Sequence, residues 1–176
     1  MENTIKGQEN LMRAYEICLA GNYVLSIVSF DNENGVNENQ LCEYAETLRE
    51  NEISVNVNSS NGDILIELTK PTFESLMTKR KQETFEDIKK RVFSAKAKSS
   101  KPLEAINEAS QALLKMAYNR LNLQPFEVEI ILRVSATIAW MDGSEYIKTE
   151  HIAEASQYRS IDKQSLLSEN IKTQKL

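Results

Sequence analysis

The sequence predicts a mainly helical α/β chain, with a few strands confined to its first 70 residues and helices from Pro71 onward. Three observations carry this. Tyr23 to Val28 is a short apolar run rich in β-branched residues, the length of a buried strand. Ile53, Val55 and Val57, and then Ile64, Ile66 and Leu68, alternate with polar residues at the period of strands. Past Pro71 the apolar residues recur at three- and four-residue spacing, the period of helices.

Taken in order, Ile5 to Ala20 places Leu11, Ala14, Tyr15, Cys18 and Leu19 on one helical face, and Gly21-Asn22 stops it. After the Tyr23 to Val28 strand, the polar loop FDNENGVNEN leads to a short helix over about Gln40 to Arg49, with Leu41, Tyr44, Ala45 and Leu48 on one side. Asn61-Gly62 is a turn signal and predicts that the second and third strands form a hairpin. Helices are expected over Thr72–Thr78, Thr84–Ala97, Leu103–Leu121, Pro125–Met141 and Thr149–Tyr158. Pro125 falls in a first turn, where a missing N–H costs nothing. The expected organisation is an α/β lobe over 1–98, a helical lobe over 99–162 with a hinge at Lys98 to Pro102, and a polar, fraying tail over 163–176.

Composition narrows the function classes. With 176 residues, 41% hydrophobic and 27% charged, the chain has material for one core or two small lobes. No apolar run has the length of a membrane span, and Met1 to Ala20 lacks the basic start and apolar centre of a signal peptide, so a cytoplasmic protein without membrane contact is expected. Cys18 and Cys42 have no Cys or His neighbour at metal spacing; reduced thiols, no metal and no cofactor are expected. A net charge of −5 argues against general phosphate-backbone binding, which draws its affinity from Lys and Arg. One segment dissents. From Lys79 to Lys101, nine basic residues against three acidic ones give +6, leaving −11 on the remainder. Lys79, Arg80, Lys81, Lys89, Lys90 and Arg91 are therefore candidates for a nucleic-acid contact, against the plainer reading of a solvated helix and linker.

The stretch KMAYNRLNLQPFEVEIILRVSATIAWMDGSEYIKTEHIAEASQYRS, Lys115 to Ser160, resembles the C-terminal lid of magnesium-chelatase-related AAA+ ATPases of the ComM/YifB type. It keeps the apolar skeleton, the Gly-Ser turn at Gly143-Ser144 and the ending HIAEASQYRS. The opening IKGQENLMRAYEICLAGNYVLSIVS is similar to the family segment that leads into a Walker A loop, and Asp63 to Pro71 is similar to a family strand. The resemblance implies a reduced P-loop-like α/β lobe followed by an AAA+ lid-like helical lobe. It covers about Ile5 to Val36 and Asp63 to Ser160, and leaves Asn37 to Gly62 unexplained.

The residues that would carry nucleotide chemistry in that family are replaced. The Walker A loop falls on Ser29 to Val36: its glycines become Ser29, Asn32 and Asn34, its lysine Gly35 and its magnesium-binding threonine Val36. Asp31 and Glu33 add negative charge where a triphosphate would sit. No apolar strand ends in Asp-Glu, so the Walker B acids have no counterpart. The sensor 2 arginine falls on Phe126 and two further lid arginines on Ile130 and Ala136, while Arg133 alone keeps a basic residue.

In Pro125–Met141, Ile130, Ile131, Val134, Ile138 and Met141 form an inward stripe. The opposite side carries Arg133, Ala136 and Trp140, a composition suited to a protein interface, against the alternative that Trp140 packs on the chain's own N-terminal lobe. His151, the single histidine, reads as a packing or capping residue of the HIAEA helix start, and no serine, histidine or paired carboxylate forms a catalytic constellation. The leading expectation is a catalytically inactive relative of these ATPases that binds a protein, an AAA+ ATPase or its own kind. The alternatives are a nucleic-acid-associated protein and a residual ATP-binding protein.

Overall fold

The computed structural model describes residues 8–29, 37–77, 83–98 and 106–161. The expected start of the first helix at Ile5, the loop 30–36, Lys79, Arg80, Lys81, residues 99–105 and the tail 163–176 lie outside them. Seven helices and three strands occur among the described residues: α1 (Glu9–Gly21), β1 (Val24–Val28), α2 (Glu38–Glu50), β2 (Ser54–Val57), β3 (Ile64–Glu67), α3 (Phe73–Met77), α4 (Phe85–Lys98), α5 (Glu108–Arg120), α6 (Pro125–Met141) and α7 (Thr149–Gln157). The fold is the expected mainly helical α/β class with a small parallel sheet.

The sheet corrects one expectation. β2 and β3 do not pair as a hairpin; each runs parallel to β1, in the order β2-β1-β3, with Leu25 opposite Val55 on one side and Ile64 on the other. The physical reason lies in β1, where Leu25, Ser26, Ile27 and Val28 are all buried, making it the central strand that the two alternating strands flank. Residues 58–63 then recross the sheet in a link shorter than the dozen residues usual between parallel strands. Gly62 permits this: a Cβ there would lie 2.8 Å from the Ser26 backbone nitrogen and 2.5 Å from its Oγ. The Asn61-Gly62 signal marks a close backbone crossing instead of a tight turn.

Both sheet edges are blunted. Asn58 N donates to Ile27 O, so alternate residues of β2 face β1 and the Val55 carbonyl points outward. The Arg49 guanidinium, from the end of α2, caps that carbonyl with Nε at 3.2 Å and Nη2 at 2.7 Å. On the other edge, Leu65 N donates to Tyr158 O just past α7, at 3.2 Å. An unpaired edge invites strand addition by other chains, and each contact removes part of that template.

Local signals set the helix ends. Asn22, at φ 56°, closes α1 in the left-handed conformation that Asn tolerates, and Lys96 Nζ donates to the free Leu19 carbonyl near it. Asn37 and Asn107 cap α2 and α5 by accepting from Gln40 N and Ser110 N. α5 therefore begins later than expected from periodicity, because Ile106 instead forms an isolated parallel bridge with Ile147.

One large buried cluster joins both halves of the chain. It includes Leu11, Tyr15 and Cys18 of α1, Leu25 and Ile27 of β1, Leu41 and Leu48 of α2, Phe85, Ile88 and Val92 of α4, and Ile131, Val134 and Ile138 of α6. Tyr15 meets Phe85 edge to face at 4.9 Å, fixing α4 on α1. Each fully buried side chain of this size contributes about 1.5–3 kcal/mol. A smaller cluster of Ala139, Ile147 and Ile152 sits between α6 and α7.

Candidate functional site

The inward stripe on α6 is present: Ile131, Val134 and Ile138 are buried, and Ile130 and Met141 are partly buried against the same cluster. The other side of the helix is divided among several uses. Arg133, whose side chain is 59% exposed, turns toward the sheet, with Nη2 at 3.1 Å from Asp63 Oδ1 and its guanidinium 5.7 Å from the centre of the Tyr23 ring. Thr137, one turn on, shares a 2.8 Å hydrogen bond with the Tyr23 hydroxyl. Burial is the main cause holding Tyr23 above its ordinary pKa, with the Thr137 hydrogen bond and the Arg133 charge opposing it. Asp63 is held in place by accepting from Val24 N at 3.0 Å.

Ala136 packs on the smaller buried cluster. Trp140 is half-buried and lies outside both clusters. Phe126, at the start of the same helix, is 57% exposed. Phe126, Arg133 and Trp140 follow at seven-residue intervals, which sets them on one side of α6 over about 21 Å of helix. The structure thus places Arg133 and Trp140 on one solvent-accessible strip, adds Phe126 to it and turns Ala136 partly away.

Three of the expected nucleic-acid residues fall within the described chain. Lys89 Nζ is 3.3 Å from Glu52 and 3.7 Å from Glu86, and Lys90 is exposed. Arg91 pairs with Glu83 and, at 2.6 Å, with the buried Glu16. Glu16 also pairs with Arg13 at 2.8 Å, and Arg13 reaches Glu154 of α7 at 2.8 Å. This chain of charges ties α4 to α1 and α1 to α7. Burial lowers the Arg13 pKa most, but the hydrogen bonds it donates to Glu154 and Glu16, together with their charges, outweigh it and raise the net value. For Arg91, hydrogen bonds to Glu83 and Glu16 are the leading causes of a raised value.

His151 has a capping role. Its Nδ1 accepts from Lys148 N at 3.0 Å, and its Nε2 is 3.5 Å from Asp142 Oδ2. Cys18 is buried and Cys42 exposed, both as free thiols, and burial pushes the Cys18 thiol up. Among the described residues there is no metal-holding cluster, and no helix is long and apolar enough to cross a membrane. α3 buries none of its residues and exposes Phe73, Leu76 and Met77.

Sequence reasoning missed a buried ion pair between Arg159 Nη2 and Glu127 Oε1, at 2.8 Å, with Glu127 only 1% exposed. The other Glu127 oxygen accepts from Gln124 N, also at 2.8 Å, closing the first turn of α6. The three-residue spacing from Gln124 to Glu127 was the available signal. The partner, 32 residues further on, had none.

These features define a small parallel sheet with α1 and α2 packed on it, α4 and α6 packed on α1, and α5 and α6 packed on α7. Residues 75–159, from α3 to just beyond α7, match the family model of the magnesium chelatase subunit ChlI C-terminal domain. That segment is similar to an AAA+ related lid-like domain. The match begins after β3, so the sheet lies outside it. No curated protein matches the chain.

Proposed function

We propose that this chain is a reduced, degenerate and catalytically inactive relative of the ComM/YifB-type AAA+ ATPases, working as a cytoplasmic protein-interaction module that docks on an AAA+ partner or on its own kind. The observation that carries this reading is Trp140, only partly buried and outside both clusters of the described residues, on a helix whose other face carries the buried Ile131, Val134 and Ile138. An aromatic side chain held this way beside Arg133, with Phe126 further along the strip, supplies large contact area at low entropic cost. The replacement of the family's sensor 2 arginine by Phe126 supports the same reading, since it exchanges a phosphate-directed charge for an apolar contact.

Nucleic-acid association has less to draw on. Of the positive side chains on α4, Lys89, Arg91 and Lys96 are each engaged by a carboxylate or carbonyl of the same chain. Lys90 is exposed and keeps the alternative testable by a salt-dependent DNA mobility shift.

A photo-crosslinking residue at position 140, used in the source cell, tests the proposal. The expected outcome is a discrete adduct with an AAA+ protein or with a second copy. Trp140→Ala should abolish binding to that protein while its melting temperature changes by less than about 2 °C, a surface-type effect. An adduct-free result, or a fall in melting temperature typical of core truncation, would remove Trp140 from any interface.

A further inference from the structure

The last turn of α7 is fastened to the sheet through Arg159. Its Nη1 donates to Gly62 O at 2.8 Å and its Nη2 to Glu127 Oε1 at 2.8 Å, while the preceding Tyr158 carbonyl accepts from Leu65 N. Gly62 is the residue pressed onto Ser26 of β1, and Glu127 closes the first turn of α6. The buried guanidinium therefore holds two pieces, the recrossing loop and the start of α6, and the Tyr158 carbonyl beside it holds a third, the edge of β3. Its Nε is buried without a hydrogen-bond partner among the described residues, leaving one donor of the guanidinium unused.

We propose that residues 158–159 form a strap that locks the helical unit onto the sheet, with the Arg159–Glu127 pair selecting this docked arrangement. The distinction between locking and stabilising follows from the energetics of buried charge. Taking both ions out of water offsets most of their attraction, so such a pair contributes little net stability, yet losing one partner leaves the other stranded. The apolar cluster packs α6 and α7 against the rest of the chain, and the strap selects the register at which the start of α6 and the end of α7 meet the recrossing loop and β3. The composite surface of Arg133, Tyr23 and Asp63 spans α6 and the sheet, so undocking of α6 would take it apart.

The inference stands apart from the partner reading and is tested on the isolated protein by residue-resolved amide hydrogen exchange. The Leu65 amide is the reporter, because its acceptor is the Tyr158 carbonyl. In Arg159→Met combined with Glu127→Gln, which removes both charges and retains a capping oxygen, the melting temperature should stay within a few degrees of the native value. Exchange at Leu65 and Gln124 should rise at least tenfold, with α5 unchanged. Unchanged exchange at Leu65, or equal acceleration throughout the chain, would overturn the strap. If the variant does not fold, the native protein still decides the matter: Leu65, Gln124 and the final α7 amides should open together, at lower denaturant than global unfolding. Independent opening would refute the proposal.

Discussion

Gly62 lies directly over Ser26, so close that a Cβ added to Gly62 would sit 2.9 Å from the Ser26 Cβ and closer still to its backbone nitrogen. The obstacle is the central strand's own backbone, which cannot give way. Gly62→Ala should therefore cost about 1–3 kcal/mol through overpacking, read as a lower urea midpoint at constant slope. Ser26→Ala makes the opposite case. Its Oγ is buried without a partner among the described residues, so its removal should leave stability unchanged or raise it by up to about 1 kcal/mol.

Arg49 guards the outer edge of β2 by donating twice to Val55 O. Arg49→Ala should lose only about 1 kcal/mol of stability, one charge-assisted contact at a part-buried site. The larger effect is on association. With its carbonyl uncovered, the edge becomes a template for another chain, and light scattering should show concentration-dependent growth absent from the native protein.

The acidic residues on Arg91 separate buried from exposed pairing. Glu16 is buried and holds both Arg91 and Arg13, whereas Glu83 is exposed. Glu16→Ala leaves Arg13 to Glu154 and Arg91 to Glu83 but removes the buried carboxylate that joins them, and should cost about 1.5–3 kcal/mol. Glu83→Ala should cost less than about 1 kcal/mol, because solvent screens that pair. Equal losses in the two denaturation curves would show that burial does not set the strength of this network.

Alkaline pH should destabilise the protein through its buried thiol and phenols. Burial raises the pKa values of Cys18, Tyr15, Tyr23 and Tyr158, so each folded group holds its proton longer than the unfolded chain does. Above the unfolded pKa the unfolded state binds fewer protons, and stability falls as pH rises. The contribution is complete below about pH 8.5, declines first through Cys18 and declines further above about pH 10 through the tyrosines. Each group adds a slope of about 1.4 kcal/mol per pH unit within its window. Melting temperatures measured from pH 8 to 11 should therefore drop with increasing steepness, and a flat profile would contradict it.

Much of the architecture was legible because it rests on local patterns. The α6 stripe, the Asn22 stop and the His151 cap each follow from residues within a few positions of one another. Strand partnership was not legible in the same way. Asn61-Gly62 carries the same signal whether glycine makes a turn or relieves a close crossing, and only the burial of Ser26 on both sides distinguishes them. The strip on α6 was half visible: its helical angle is local, whereas the use of Arg133 on Asp63 depends on a contact 70 residues away. Glu127 and Arg159 look like ordinary surface charges in sequence, since buried pairing over 32 residues leaves no periodic trace.

The nucleotide question can be settled by thermal shift. A ligand present at about a hundred times its dissociation constant adds about 2.7 kcal/mol to a folded protein. In a chain of this size that raises the melting temperature by roughly 5–10 °C. Millimolar magnesium-ATP should produce a shift below about 1 °C here, for two independent reasons. If Ser29 to Val36 stands where the resemblance implies a Walker A loop, it offers Asp31 and Glu33 where phosphates need a lysine and free backbone N–H groups. At the start of α6, Phe126 is exposed where the resemblance implies an arginine, and the Glu127 carboxylate already accepts from the Gln124 N–H. A magnesium-dependent shift of several degrees, lost on changing Asp31 or Glu33, would make the chain a nucleotide binder and overturn the proposal of an inactive module.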